Sequence, residues 1–269
     1  MKIATLGPQG TFSHEAATRL EPRAEIIFQR TIRDAVEYVS ANRDSAGLVP
    51  LENSVSGTVG ETLDALTESD LQIEREVIHP VIHHLAVKGE TDRITTILAH
   101  PQSYSQCEKF IRSNYAEAHL IHTSSNGKSA EMLRDTAEKG WGAIVPELAI
   151  QLYGLRSVHS RIQDNRYNVT RFVFISRNST KPSGYDRTSL SLYPQVDYPG
   201  LLHEMLGHLS SRGVNLSKIE SRPSKGRLGD YIFYMDLQGH QSDERVAEAI
   251  EALKKMAFVR VLGSYPRQY

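Results

Sequence analysis

A single cysteine, Cys107, in a chain of 269 residues excludes an internal disulfide framework. That suits a reducing compartment, and the expected location is cytoplasmic. Excess charge of one sign is missing too: 31 basic and 32 acidic side chains leave a formal net charge of -1. Such a balance provides no long-range field for nucleic acid or an anionic membrane, so neither is an expected partner. No apolar run approaches the roughly 20 residues that span a bilayer. Residues 1–6 pass straight into a strand pattern without the apolar core of a secretion signal, and a soluble protein is expected. GxGxxG and Walker A patterns are absent. His79, His83 and His84 stand close together, but their segment reads as extended, which sends His83 and His84 to opposite faces. They are read as structural or solvated. No metal and no cofactor is expected. Cys107, in a predicted helix after His100-Pro101, is read as a packing residue rather than a nucleophile.

The chain is long enough for two hydrophobic cores. Short runs rich in β-branched residues, at 2–6, 46–49, 94–99, 120–123 and 142–145, alternate with helical patterns. Alternation of this kind implies mostly parallel sheets covered by helices. One helix begins at Thr31, with Asp34 as capping-box partner and Ile32, Ala35, Val36 and Val39 sharing a face. Composition changes over 177–187, where Asn, Ser, Thr, Pro and Gly interrupt any period and read as a linker. Beyond it come a strand through Leu190 and Leu192, and a helix through Leu201, Met205 and Leu209 with Pro199 in its first turn and Gly213 at its C-terminal cap. Strands at 214–222 and 231–236 around a turn at 226–229, a helix through Val246 to Leu253 and a strand at 258–262 complete a βαββαβ order, hence a ferredoxin-like sandwich.

In the first part, polar segments recur where strands hand over to helices: Gly10-Thr11-Phe12-Ser13, Glu52-Asn53-Ser54 with Gly57, His100-Pro101-Gln102, and Thr123-Ser124-Ser125. Ligands of open α/β sheets collect at the carboxyl ends of strands, where free backbone N–H groups and helix dipoles favour anions. The plainer reading of each segment alone is an ordinary helix cap.

Several of these segments, taken with others, resemble a known family. Residues 6–13 (Leu-Gly-Pro-Gln-Gly-Thr-Phe-Ser), 50–54 (Pro-Leu-Glu-Asn-Ser) with Gly57, His100-Pro101-Gln102 followed by Gln106-Cys107, and 168–172 (Asn-Val-Thr-Arg-Phe) together resemble prephenate dehydratase. Tyr198-Pro199-Gly200-Leu201-Leu202 and Ile219-Glu220-Ser221-Arg222-Pro223 are similar to the two phenylalanine-binding motifs of its ACT domain. Two positions depart from the pattern. Ser103-Tyr104 stands where the family often has Ala-Leu, at the cleft rim, and Leu201 stands where it usually has Ala, adding bulk where the effector docks.

The resemblance implies an α/β fold: a two-lobed catalytic domain like type 2 periplasmic binding proteins over 1–178, with lobe crossings near 73–86 and 157–168, and an ACT domain over 187–265. Residues 170–176 would then return as a strand of the first lobe. It implies decarboxylating dehydration of prephenate to phenylpyruvate, feedback control by L-phenylalanine, and a homodimer or homotetramer. Thr170, Glu52, Asn53 and Gln106 are the implied catalytic residues, and Thr11, Phe12, Ser13, Ser54, Thr123, Ser124, Ser125, Arg171 and Phe172 the candidate substrate contacts. The effector would meet Pro199, Gly200, Leu201, Leu202, Asn215, Leu216, Ser217, Glu220, Ser221 and Arg222.

Three roles stay open on residue chemistry. Thr170 either passes a proton or only polarises the leaving oxygen. Arg171 either pairs with a substrate carboxylate or points away and supports the lobe, because neighbours along a strand face opposite ways. Glu52 either orients neighbours and handles a proton, or is a first-turn carboxylate on a helix dipole. Two rivals remain: arogenate dehydratase, and a non-catalytic small-anion-binding protein of the same two-lobed fold.

Overall fold

A computed structural model describes residues 1–224, 226 and 229–269. The expected turn at 226–229 lies largely outside them. The first segment runs β1 (Lys2–Leu6), α1 (Phe12–Leu20), β2 (Glu25–Gln29), α2 (Ile32–Ala41), β3 (Ser45–Asn53), β4 (Gly57–Thr58), α3 (Gly60–Glu68) and β5 (Gln72–Pro80). The next runs β6 (His84–Val87), β7 (Thr96–Ala99), α4 (Pro101–Ser105), α5 (Glu108–Asn114), β8 (His119–His122), α6 (Asn126–Asp135), β9 (Trp141–Val145), α7 (Glu147–Tyr153) and β10 (Arg156–Ser160). After β11 (Val169–Ser176) come β12 (Asp186–Pro194), α8 (Leu201–Ser210), β13 (Leu216–Pro223), β14 (Tyr231–Gln238), α9 (Glu244–Lys254) and β15 (Ala257–Pro266). Among the described residues no helix is long and apolar enough to cross a membrane.

Among the described residues the strands form three sheets. The first has the order β2-β1-β3-β11-β5, with β4 paired to β3; the second is β10-β6-β9-β7-β8; the third is β13-β14-β12-β15. Strand β11 is central and buried along nearly its whole length, so even Thr170 and Arg171 leave water. The chain leaves the first sheet after Pro80, enters the second at His84, and returns between Ser160 and Val169.

Parallel pairing is less general than the alternating pattern implies. Strand β7 is parallel to β8 and β9, yet β6 is antiparallel to both β9 and β10. β6 follows β5 by a short connection, not by a helical crossover within the second sheet, and only a helical crossover imposes parallel pairing.

Local signals hold where the chemistry is local. Thr31 and Asp34 cap α2 reciprocally, at 3.0 and 3.2 Å, and Ile32, Ala35, Val36 and Val39 are all buried. Gly213 closes α8 with a φ of 66°, and the amide of Val214 reaches back to the carbonyl of Leu209. Pro199 is not in the first turn of α8. Gly200, with a φ of 95°, is the N-cap, and Pro199 lies in the turn before it.

Two compact units emerge: Met1–Ala35 with Leu48–Val59 and Ile78–Phe172, and Val36–Gly47 with Gly60–Val77 and Val173–Tyr269. The second contains the third sheet, whose inner face packs Leu190, Leu192, Met235 and Leu237 against Leu201, Met205 and Leu209 of α8 and Ala249, Ile250 and Leu253 of α9.

The end of the expected linker is part of that unit's interior. Arg187 is 1% exposed in β12 and meets Glu76 of β5, 0% exposed, at 2.6 Å. It also donates to the hydroxyl of Tyr269 and stacks on that ring, while the amide of Gln268 donates to Glu76. Polar composition at 177–187 hid this burial, because a paired charge reads in sequence like a solvated one. Removing one partner of such a pair leaves a charge uncompensated. Glu76→Ala is expected to cost about 3–5 kcal/mol in urea unfolding, with the Glu76→Leu/Arg187→Met double variant recovering most of it. A Glu76→Ala protein as stable as the parent would show that the pair holds nothing together.

Candidate active site

The site forms where β3 and β11 run side by side. Asn53, the last residue of β3, points its amide nitrogen at the side-chain oxygen of Asn168 (2.8 Å), the carbonyl of Val169 (3.1 Å) and the hydroxyl of Thr170 (3.0 Å). Its own oxygen accepts from the backbone N–H groups of Val55 and Ser56, at 3.0 and 2.9 Å. Those two bonds fix which end of the amide is the donor. Thr170 therefore receives a hydrogen bond at Oγ1 and keeps its hydroxyl hydrogen to give.

Alternation along the paired strands separates the neighbours. Arg171 is buried and approaches Glu52 at 3.5 Å, on the face opposite Asn53 and Thr170. The first-turn reading of Glu52 does not hold. Glu52 lies in β3 opposite Thr58 of β4, and a short hairpin intervenes before α3. Ser54 ties that hairpin to β11, accepting from the amide of Val169 at 3.0 Å.

Gln106, between α4 and α5, joins the same set. Its Oε1 accepts from Nδ2 of Asn168 at 2.9 Å and lies 2.9 Å from Nε2 of His83. Gln102 reaches the hydroxyl of Ser56 at 2.8 Å, and Ser103 reaches Asn126 at the start of α6 at 2.6 Å. At Gly127 a Cβ would overlap the carbonyl oxygen of Gln9, so the starts of α1 and α6 approach as closely as backbone allows. Thr11 and Ser125 cap those helices through the amides of His14 and Lys128. Thr123 bonds Ser129 and the carbonyl of Ser125, Ser124 is exposed, and Ser13 is buried. The Phe12 ring stands edge-on to His83 at 5.2 Å; Phe172 is core, edge-on to His79 at 6.2 Å.

The three histidines are buried rather than solvated. His79 contacts Glu15 at 3.3 Å and His84 contacts Glu147 at 3.6 Å. Burial pushes the His83 pKa down to about 4 and also lowers that of His84, which the Glu147 and Glu15 carboxylates partly oppose. Cys107 is fully buried and its thiol pKa is raised by that burial. Among the described residues no group of three or more His, Cys, Asp or Glu is arranged to hold a metal ion. Asn168, Ser56 and His83 were absent from the site expected on sequence. Asn168 stood in the quoted 168–172 segment, whereas nothing local marks His83.

In the second unit, Leu201 is buried in the core, and Leu202 and Leu216 pack on its edge. Asn215 is exposed just ahead of β13, not within it, and Ser217 donates to the carbonyl of Asp236. Arg222 is half-buried against α3. It lies 3.4 Å from Asp64 of α3, to which Tyr234 also donates, and its guanidinium covers Gly60. Glu220 stands 3.8 Å from Lys218 and 3.9 Å from Arg222, and Ser221 is exposed.

Comparison with known proteins gives this geometry a context. The family model for prephenate dehydratase matches residues 3–180, and that for the ACT domain matches residues 195–255. A bifunctional chorismate mutase/prephenate dehydratase of Aquifex aeolicus is 37% identical over 270 residues, 99% of this chain and 74% of that protein. The solved prephenate dehydratase of Arthrobacter aurescens in complex with L-Phe superposes with a TM-score of 0.92 at 36% identity, over 99% of this chain and 90% of that one. The structure of GqqA, described as a novel type of quorum quenching acylase, superposes with a TM-score of 0.90 at 28% identity, over 100% of this chain and 98% of that one. The chain belongs to the prephenate dehydratase family of lyases, with a two-lobed α/β part followed by an ACT domain.

Proposed function

We propose that this protein converts prephenate to phenylpyruvate, water and carbon dioxide in phenylalanine biosynthesis, with residues 1–178 catalytic and 187–265 regulatory. The observation that carries the reading is the hydroxyl of Thr170, held as an acceptor by Asn53 and left with one hydrogen to donate. In the reaction the bond from ring carbon to carboxylate breaks, its electron pair makes the ring aromatic, and the bond to the ring hydroxyl breaks in concert. The departing hydroxide becomes water on gaining one proton. Thr170 hydrogen-bonds that oxygen as it leaves. An ordinary threonine is a weak acid, so polarisation in a dry cleft accounts for its effect better than full proton release. Asn53 and Gln106 align the donor, and the helix starts at Thr11 to Ser13 and Thr123 to Ser125 face the two carboxylates. Glu52, with Arg171 beside it, supports β3 and β11 from the opposite face.

The likeness to GqqA favours one second reading, hydrolysis of an acyl amide. That chemistry calls for a base at the nucleophile. Thr170 instead accepts from an amide, which supports the lyase reading. Thr170→Ala and Asn53→Asp are each expected to lower kcat by about 10²–10³ with the protein still folded, because the aspartate would draw the Thr170 hydrogen toward itself. Parent-like kcat in Thr170→Ala would end the assignment. Turnover of prephenate and arogenate should be compared side by side, with prephenate expected to be preferred. Preference for arogenate, or release of an acyl group with no phenylpyruvate formed, selects the corresponding rival.

The ACT match and the L-Phe complex of the Arthrobacter aurescens protein support phenylalanine as the effector here. It would bind near Gly200, Leu202, Asn215 and Leu216 in a homodimer or homotetramer. Arg222 would carry the effect onward, because α3, on which it rests, directly follows the hairpin bearing Glu52 and Asn53. Gly60→Ala would push the Arg222 guanidinium off α3. Phenylalanine inhibition is expected to weaken by about tenfold, within the usual range of coupling energies, with uninhibited kcat near the parent value. Unchanged inhibition would exclude this route.

A further inference from the structure

We propose that His83 is a positioning residue, which orders the run of side-chain amides Gln106, Asn168 and Asn53 and thereby aims the hydroxyl of Thr170; this rests on the role given to Thr170 above. The order of donors and acceptors is forced from one end. Asn53 Oδ1 takes two backbone N–H groups, so its Nδ2 must face Asn168 and Thr170. Asn168 Oδ1 is then an acceptor, and its Nδ2 must face Gln106. Gln106 presents Oε1 to both Asn168 and His83. A carbonyl oxygen has no proton to give, so the hydrogen between them belongs to Nε2 of His83.

The imidazole is therefore the tautomer with Nε2–H, and its buried Nδ1 meets no hydrogen-bond partner among the described residues. The residue is only 1% exposed. Its backbone is held on both sides, with the N–H donating to Gln163 Oε1 at 3.2 Å and the carbonyl accepting from Ile162 at 2.9 Å. A side chain this fixed does not serve as a proton exchanger. Burial keeps it neutral throughout the physiological range.

An amide in place of the imidazole has two orientations, and so does Gln106. If Gln106 turned over, it would set its NH2 against that of Asn168. Asn168 would then turn its own NH2 toward Asn53, where the two backbone bonds forbid a matching turn. A donor that cannot be exchanged for an acceptor at neutral pH, placed on Gln106 Oε1, holds the far end of the run in the order that the near end requires. The reactive hydroxyl is thus aimed from both ends.

The test uses the intact chain. Nitrogen NMR of the unmodified protein is expected to show His83 as the Nε2–H tautomer from pH 5.5 to 8; the Nδ1–H tautomer or an imidazolium in that range overturns the proposal. His83→Leu is expected to lower kcat about tenfold or more with KM within about twofold, since only transition-state alignment is lost. His83→Gln, which keeps a donor near the position of Nε2, should recover most of that rate. In a Thr170→Ala background, His83→Leu should cost little further. A harmless His83→Leu, equal loss in the Leu and Gln variants, or independent multiplication of the Thr170 and His83 losses each overturns the positioning role. Should His83→Leu fail to fold, the NMR tautomer and the His83→Gln rate decide. Full kcat in Thr170→Ala alone sinks the reading of Thr170 instead, and the two failures are thereby distinguished.

Discussion

The candidate site hangs on one side-chain amide whose orientation is set by its own turn. Asn53 accepts from Val55 and Ser56, two and three residues further on, so its oxygen is committed by local contacts alone. The nitrogen is then free to gather Asn168, Val169 and Thr170, which arrive from 115 or more residues away. A local turn with a committed acceptor thus becomes a directional donor at a distance. Low dielectric strengthens each bond in such a run and makes each unmet one costly, so a partly satisfied network would be worse than none.

The position of the run follows from the fold. The chain crosses between the first and second sheets at 81–83 and at 161–168, and Asn168 and His83 sit on those crossings. Gln106 ties itself to the same place, its carbonyl accepting from the amide of Asp164 at 2.7 Å. The two crossings also pair with each other, Val81 N–H donating to the Asn168 carbonyl and Ile162 N–H to the His83 carbonyl, while the His83 N–H takes a side-chain partner in Gln163. The amides that hold the Thr170 hydroxyl thus lie on or beside the connections.

What the sequence made legible was what neighbours in sequence decide. The capping box at Thr31, the glycine closing α8, the order of elements in the third sheet and the 168–172 segment can all be read within a few residues. Burial of Arg187 was not legible, because its compensating carboxylate on Glu76 is 111 residues away. Nor was the split between Glu52 and Asn53. Both read as one polar cluster until strand pairing assigns them to opposite faces. His83 was the hardest, because its place in the run rests on the bond to Gln106, 23 residues away, and a histidine in an extended segment has no periodicity to betray it.

The same pairing logic gives the proposed regulatory route a physical form that suits a site built of neutral groups. Asp64 and Gly60 lie on α3, and α3 begins a few residues after Asn53. Arg222 rests on both, from a strand of the third sheet. No charge needs to travel. On that route a shift of Arg222 would change how the start of α3 is held, and the hairpin ahead of that helix carries the Val55 and Ser56 amides that donate to Asn53. Small displacements there weaken the bonds that fix the Asn53 amide, and a hydrogen bond is lost steeply as its angle degrades. On the proposed route, hydrogen-bond direction rather than charge is the quantity that regulation would act upon.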